Sequence, residues 1–138
     1  GKIYVVDIES RKLISTLSAH TQAIYQLKYE PTHEQMWVLA ANGWLSLIDT
    51  QKLVTSFSRQ LHTKNLRSLV FHLGQAFIGS SDHSIRQYGI DSPEKETHQW
   101  LAHDKSVFSL LIHPEANYLL SGGMDAQLAV WDLKQDYI

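Results

Sequence analysis

Apolar residues recur along this chain in short alternating runs broken by turn residues, as in β-strands, and no stretch shows a helical period. Three histidines, His20, His62 and His103, are each followed by apolar residues at the fourth, seventh and ninth positions. These are Ile24, Leu27 and Tyr29; Leu66, Leu69 and Phe71; Val107, Leu110 and Ile112. The step of two is strand periodicity, and the step of three breaks it at the same place each time. One extra residue that keeps the apolar face turned inward is a β-bulge, and a bulge that recurs marks a true internal repeat. The histidines lie 42 and 41 residues apart.

Each of these strands ends at Pro31, Leu73 or Pro114 and is followed by a second: Met36–Leu39, Ala76–Ile78 and Tyr118–Leu120. Tight turns come next at Asn42-Gly43, Asp82-His83 and Asp125-Ala126. Asn and Asp tolerate the left-handed backbone that two-residue hairpins require, so these turn residues are expected to carry it. Six residues further on stands a large side chain, Ile48, Tyr88 or Trp131, and Val6-Asp7 matches Ile48-Asp49 and Trp131-Asp132. Outer strands are expected at 12–17, 53–57 and 97–101. Four short antiparallel strands per repeat describe one blade of a β-propeller. A β-sandwich would not need so regular a repeat.

The expected fold is therefore all-β, with about three blades in a partial ring. Residues 1–18 supply the last two strands of an incomplete blade, 19–58 and 59–101 are whole blades, and 102–138 is a blade lacking its outer strand. A closed ring takes about 4–8 blades. The remaining blades are thus expected from further chain, or from a second polypeptide that closes the ring.

Composition adds mostly exclusions. The 138 residues are 43% hydrophobic and 19% charged, as in ordinary globular domains. A formal charge of −2, both signs scattered, gives no electrostatic case for nucleic acid or an anionic membrane. The absence of cysteine excludes disulfides and thiolate metal sites and fits a cytoplasmic location. No apolar run approaches the roughly 20 residues that span a bilayer.

The stretch from Ala102-His103 through Pro114, Ser121-Gly122-Gly123 and Asp125 to Trp131-Asp132 resembles a WD repeat, and 19–49 and 61–88 look like divergent copies. The resemblance implies a hydrogen-bond network in which a turn Asp holds the His, which reaches a Ser or Thr and then the Trp. In the last repeat that assigns Asp125, His103, Ser121 and Trp131. The earlier repeats offer His20 with Asn42, and His62 with Asp82, but have Val38 and Ile78 where the hydroxyl belongs and Ile48 and Tyr88 where the Trp belongs. Partial networks and heavier reliance on apolar burial are expected there.

The resemblance also places the residues three and five after each His, and the one before the turn Asp, on one rim of the disc. Here they include Asn65 together with Tyr25, Arg67, Phe108 and Met124, the last four of types enriched at interface hot spots. Trp44 stands where the family usually has a small polar residue and is a further candidate anchor. The expected function is a non-catalytic protein-interaction scaffold that binds a protein or peptide through this rim. No cofactor, metal, nucleic acid or membrane is expected. The alternative is a propeller-based hydrolase or lyase, or one domain of a larger enzyme. Against it, no nucleophile triad spacing, phosphate loop or zinc-ligand pair stands out, and His72 and His113 belong to different blades.

Overall fold

A computed structural model describes residues 1–134. The first sheet pairs β1 (Lys2–Asp7) with β2 (Lys12–Ser18). The second holds β3 (Ile24–Glu30), β4 (Gln35–Ala40), β5 (Trp44–Asp49) and β6 (Val54–Gln60) in sequence order. The third holds β7 (Leu66–His72), β8 (Gln75–Ser80), β9 (Ser84–Gly89) and β10 (Ser92–Leu101) in the same order. The fourth holds β11 (Val107–His113), β12 (Tyr118–Gly123) and β13 (Leu128–Asp132). All pairings are antiparallel. The only helical element among the described residues is a 3-10 turn, Ala41–Gly43. These sheets are blades of a partial β-propeller, with β3, β7 and β11 as adjacent inner strands.

The middle strands show why the sequence runs as it does. A blade between two neighbours buries both faces, so β4 reads as the unbroken apolar run Met36-Trp37-Val38-Leu39-Ala40. Leu39, Leu45, Leu47 and Trp37 on one blade meet Leu66, Leu69, Ile78 and Tyr88 on the next. Trp37 and Phe71 pack edge to face at 5.4 Å. The following interface joins Val70, Phe77, Ile85 and Trp100 to Val107 and Leu119. Full burial of each such side chain stabilises by about 1.5–3 kcal/mol, so inter-blade packing is the main cohesive term.

The inner strands gain a polar tie. Gln26 on β3 accepts the Leu69 N–H at 3.0 Å and donates to the Leu69 carbonyl at 3.4 Å. One side-chain amide thus satisfies two backbone groups on the inner edge of β7, which has no strand beside it. At the opposite rim the aspartates that end the third strands cap their turns. Asp49 accepts the N–H groups of Gln51 and Lys52, each at 2.9 Å, and Asp7 and Asp132 accept from Glu9 and Lys134.

Three expectations need correction. Asp82 and Asp125 do not take the left-handed backbone; the residues after them do, His83 at φ 75° and Ala126 at φ 64°. The loops there are longer than two residues, and each Asp instead accepts the N–H two positions on, from Ser84 and Gln127. Only Asn42 is itself left-handed, at φ 59°, with Gly43 at φ 77°. Secondly, Leu27 and Tyr29 are not buried: 43% and 52% of their surfaces are exposed. The two-stranded β1–β2 sheet reaches Ile24 through Ile3 and Leu17 but does not extend over them. Thirdly, β10 begins at Ser92, five residues before the expected start. Pro93 has no N–H to give, and the pairing jumps from Ser92 opposite Gly89 to Glu96 opposite Tyr88. The broken alternation hid the strand.

Candidate interaction surface

Each inner strand has a register shift at its second residue. Ile24 pairs with Ala40 and Gln26 with Leu39; Leu66 with Ser80 and Ser68 with Gly79; Val107 with Gly123 and Ser109 with Gly122. The residues left between are Tyr25, Arg67 and Phe108. A bulge re-aims one side chain while the flanking residues keep their facing. Ile24, Leu66 and Val107 therefore stay turned into the protein, while Tyr25 and Phe108 are 39% and 47% exposed.

The three bulge residues meet. The Arg67 guanidinium carbon lies 4.2 Å from the centroid of the Tyr25 ring and 5.3 Å from that of Phe108. Its Nε–H donates to the Ser81 hydroxyl at 3.1 Å. Arg67 has no ion pair with any described residue. Cation–π contacts at half-exposed sites contribute about 0.5–1 kcal/mol each, enough to hold a long side chain in one place. Ser81 is the residue before the turn Asp, and its part in holding Arg67 was not foreseen.

The other rim candidates fall elsewhere. Asn65 accepts the Asn42 N–H at 3.0 Å through its side chain, and its carbonyl accepts from Ser81. It joins the turns of two blades, so its side-chain oxygen is already engaged. Met124 is 57% exposed at the β12–β13 turn. Trp44 stands beside His20, ring centroids 6.5 Å apart, in a shallow recess with Thr21, Gln22 and Ser58.

Beneath the rim, the last blade contains a continuous network. His103 Nδ1 lies 3.0 Å from Asp125 Oδ1, His103 Nε2 lies 2.8 Å from Ser121 Oγ, and Trp131 Nε1 donates to that same oxygen at 2.9 Å. With the proton on Nδ1 the donors run one way, from Trp131 to Ser121 to His103 to Asp125. Burial works against ionisation of Asp125, but the N–H groups of Asp104 and Gln127 and the His103 contact outweigh it and hold the carboxyl below its ordinary range. Gly123 leaves room for this, since a Cβ there would stand 2.5 Å from His103 Nδ1.

The middle blade is wired differently. His62 and Asp82 share no hydrogen bond. Asp82 instead pairs with Arg86 at 2.6 Å and with the Ser84 hydroxyl, and Arg86 also pairs with Glu96 at 2.7 Å. Tyr88 donates to Glu96 at 3.3 Å. Asp82 lies well below the ordinary carboxylate range: burial opposes ionisation, but the Ser84 and Arg86 contacts prevail. Burial pushes Tyr88 up. Burial, with the Arg86 charge, lowers His62, whose Nε2 is buried without a partner. In the first complete blade His20 Nε2 is likewise unpartnered, and Ser46 bonds only Ser58 across the sheet at 2.9 Å. In register, Arg86 opposes Ile78 as Ala129 opposes Ser121, so the middle blade places a long cation where the last blade has an alanine.

No helix among the described residues is long and apolar enough to cross a membrane. Nor do three or more His, Asp or Glu side chains among those residues converge as metal ligands would.

Residues 94–132 match the family model described as WD domain, G-beta repeat. Restriction of telomere capping protein 1 from Candida dubliniensis is 25% identical over 140 residues, covering 88% of this chain and 12% of that protein. WD repeat-containing protein 82 from Drosophila melanogaster is 27% identical over 141 residues, covering 96% of this chain and 44% of that protein. WD repeat-containing protein 90 from Xenopus tropicalis is 24% identical, covering 88% of this chain and 7% of that protein. The chain therefore spans less than half the length of these relatives. The crystal structure of the computationally designed Ika4 protein superposes with a TM-score of 0.79 at 20% identity, over 96% of this chain and 79% of that one. That likeness concerns the fold.

Proposed function

We propose that this chain, which matches the WD-repeat model over residues 94–132, is a non-catalytic interaction scaffold that binds a protein or peptide through the rim of Tyr25, Arg67 and Phe108. One observation carries the reading: three neighbouring blades each present a bulged residue, and the Arg67 guanidinium lies over both aromatic rings. A rigid β-framework fixes their positions before any partner arrives, which lowers the entropic cost of binding. Tyr and Phe offer large apolar area with few rotatable bonds, and Arg adds directional donors.

Catalysis has less support. The carboxylates nearest the clefts are engaged, Asp82 and Glu96 with Arg86, and Asp125 with His103.

Selection from a random peptide display library on the purified chain tests the reading. Enriched peptides should bind at least about tenfold more weakly to Tyr25→Ala or Phe108→Ala chains whose thermal midpoints stay near wild type. Large loss of stability with unchanged binding would make the aromatics packing residues and end the proposal.

A further inference from the structure

Both rims of the chain carry charges of both signs. Around the stack, Lys64 and Lys105 stand two residues after their repeat histidines, both exposed, on the loops that lead into Arg67 and Phe108. Of the acidic residues of the same rim, Asp82 is paired with Arg86, while Asp125 is held ionised in its hydrogen bonds. Asp104 is exposed on the same loop as Lys105. The opposite turns carry Glu9, Glu34, Asp91 and Glu115 together with Arg11 and Lys52, all exposed. Lys64 and Lys105 thus flank the aromatic pair, with Arg67 against both rings.

The Arg67 guanidinium carbon lies over both the Tyr25 and the Phe108 rings, and Nε is held by Ser81. The terminal nitrogens bond no described protein group, so the fork's outer edge is free. A guanidinium stacked in this way keeps its in-plane donors for a planar, two-oxygen acceptor. Resting on the scaffold reading above, we infer that the rim recognises an acidic peptide. An aspartate or glutamate carboxylate of the partner would take the Arg67 fork, an apolar neighbour would lie on Tyr25 or Phe108, and Lys64 and Lys105 would draw further acidic residues. A nucleic-acid strand fits less well, because both aromatic rings already have a face occupied by Arg67 and are not free to sandwich bases.

The same display selection decides the point. Peptides enriched on the wild-type chain should be rich in Asp and Glu. The best of them should lose about tenfold or more in affinity against Arg67→Gln, or when its own carboxylates become amides. Arg67→Lys should recover only part, having charge but no fork. Affinity should fall between about 50 and 500 mM salt. Circular dichroism and thermal midpoints of each variant check the fold. Enriched peptides without acidic residues, bound equally by Arg67→Gln, would overturn the inference and leave the scaffold reading intact. Failure of the wild-type chain to enrich any peptide over Tyr25→Ala would sink the scaffold reading itself. Competition by a short oligothymidylate at lower concentration than the acidic peptide would also overturn the inference, since the cations would then serve phosphates of a nucleic acid.

Discussion

Arg86 and Asp82 form a 2.6 Å ion pair in the middle blade, where the last blade sets a histidine against its turn aspartate. Glu96 closes the arrangement from the other side of the guanidinium. Arg86→Met should therefore cost about 1.5–3 kcal/mol, because it strands two partly buried carboxylates. His62→Ala, which removes only the acceptor of the Lys64 N–H, should cost less, on the order of 1 kcal/mol. Urea unfolding of both variants ranks them, and a more damaging His62→Ala would reverse the assignment.

In the last blade Ser121 is fully buried and joins two partners. Ser121→Ala should cost about 1–3 kcal/mol by leaving His103 Nε2 and Trp131 Nε1 unsatisfied. Asp125→Ala should lower the urea midpoint more than Asn42→Ala, since the structure gives the Asn42 side chain no hydrogen bond to His20. Equal midpoints for that pair would contradict this ordering of the blades.

Two glycines separate strain from collision. Gly43 and Gly74 share nearly the same left-handed backbone, φ 77° and 75°. A Cβ on Gly74 meets nothing within 4 Å, whereas one on Gly43 would stand 1.8 Å from the His62 carbonyl oxygen. Gly74→Ala should cost only the backbone term, about 1 kcal/mol. Gly43→Ala must also push two blades apart and should cost well over about 2 kcal/mol. Thermal melts of the two variants make the comparison.

His33 clasps two blades, with Nδ1 2.8 Å from buried Glu30 and Nε2 2.7 Å from Asp91 in the next blade. Glu30, and secondarily Asp91, raise its pKa above the ordinary imidazole value. A raised imidazole stabilises while protonated. Its contribution is complete below about pH 6.5 and is lost as pH rises through the raised value. The stability difference between wild type and His33→Gln should therefore shrink from pH 6 towards about pH 8. His20 and His62, lowered by burial, act oppositely and destabilise as pH falls. Proton NMR titration of the imidazoles should resolve the two classes.

The blade repeat, the bulges and the turn positions were legible in the sequence because each is a local matter of spacing and residue type. Tyr25, Arg67 and Phe108 could be grouped from their common place in the repeat. Their stacking could not, since it depends on the distance between blades. The Asp82–Arg86–Glu96 triangle was hidden for a similar reason: its members lie on two strands and a turn, and no period links them. Leu27 and Tyr29 have the pattern of buried residues, and only the extent of the neighbouring sheet leaves them exposed.

The bulge on each inner strand separates two kinds of variation. The residues on either side of it are committed to the core or to the ladder, while the one between touches neither the pleat nor the next strand's register. Exchanging that single side chain in each repeat rewrites the surface at the cost of the Arg67 contacts with Ser81 and the two rings, but leaves the strand ladder in place. If the rim binds as proposed, a new specificity could be composed by substituting at positions 25, 67 and 108 alone.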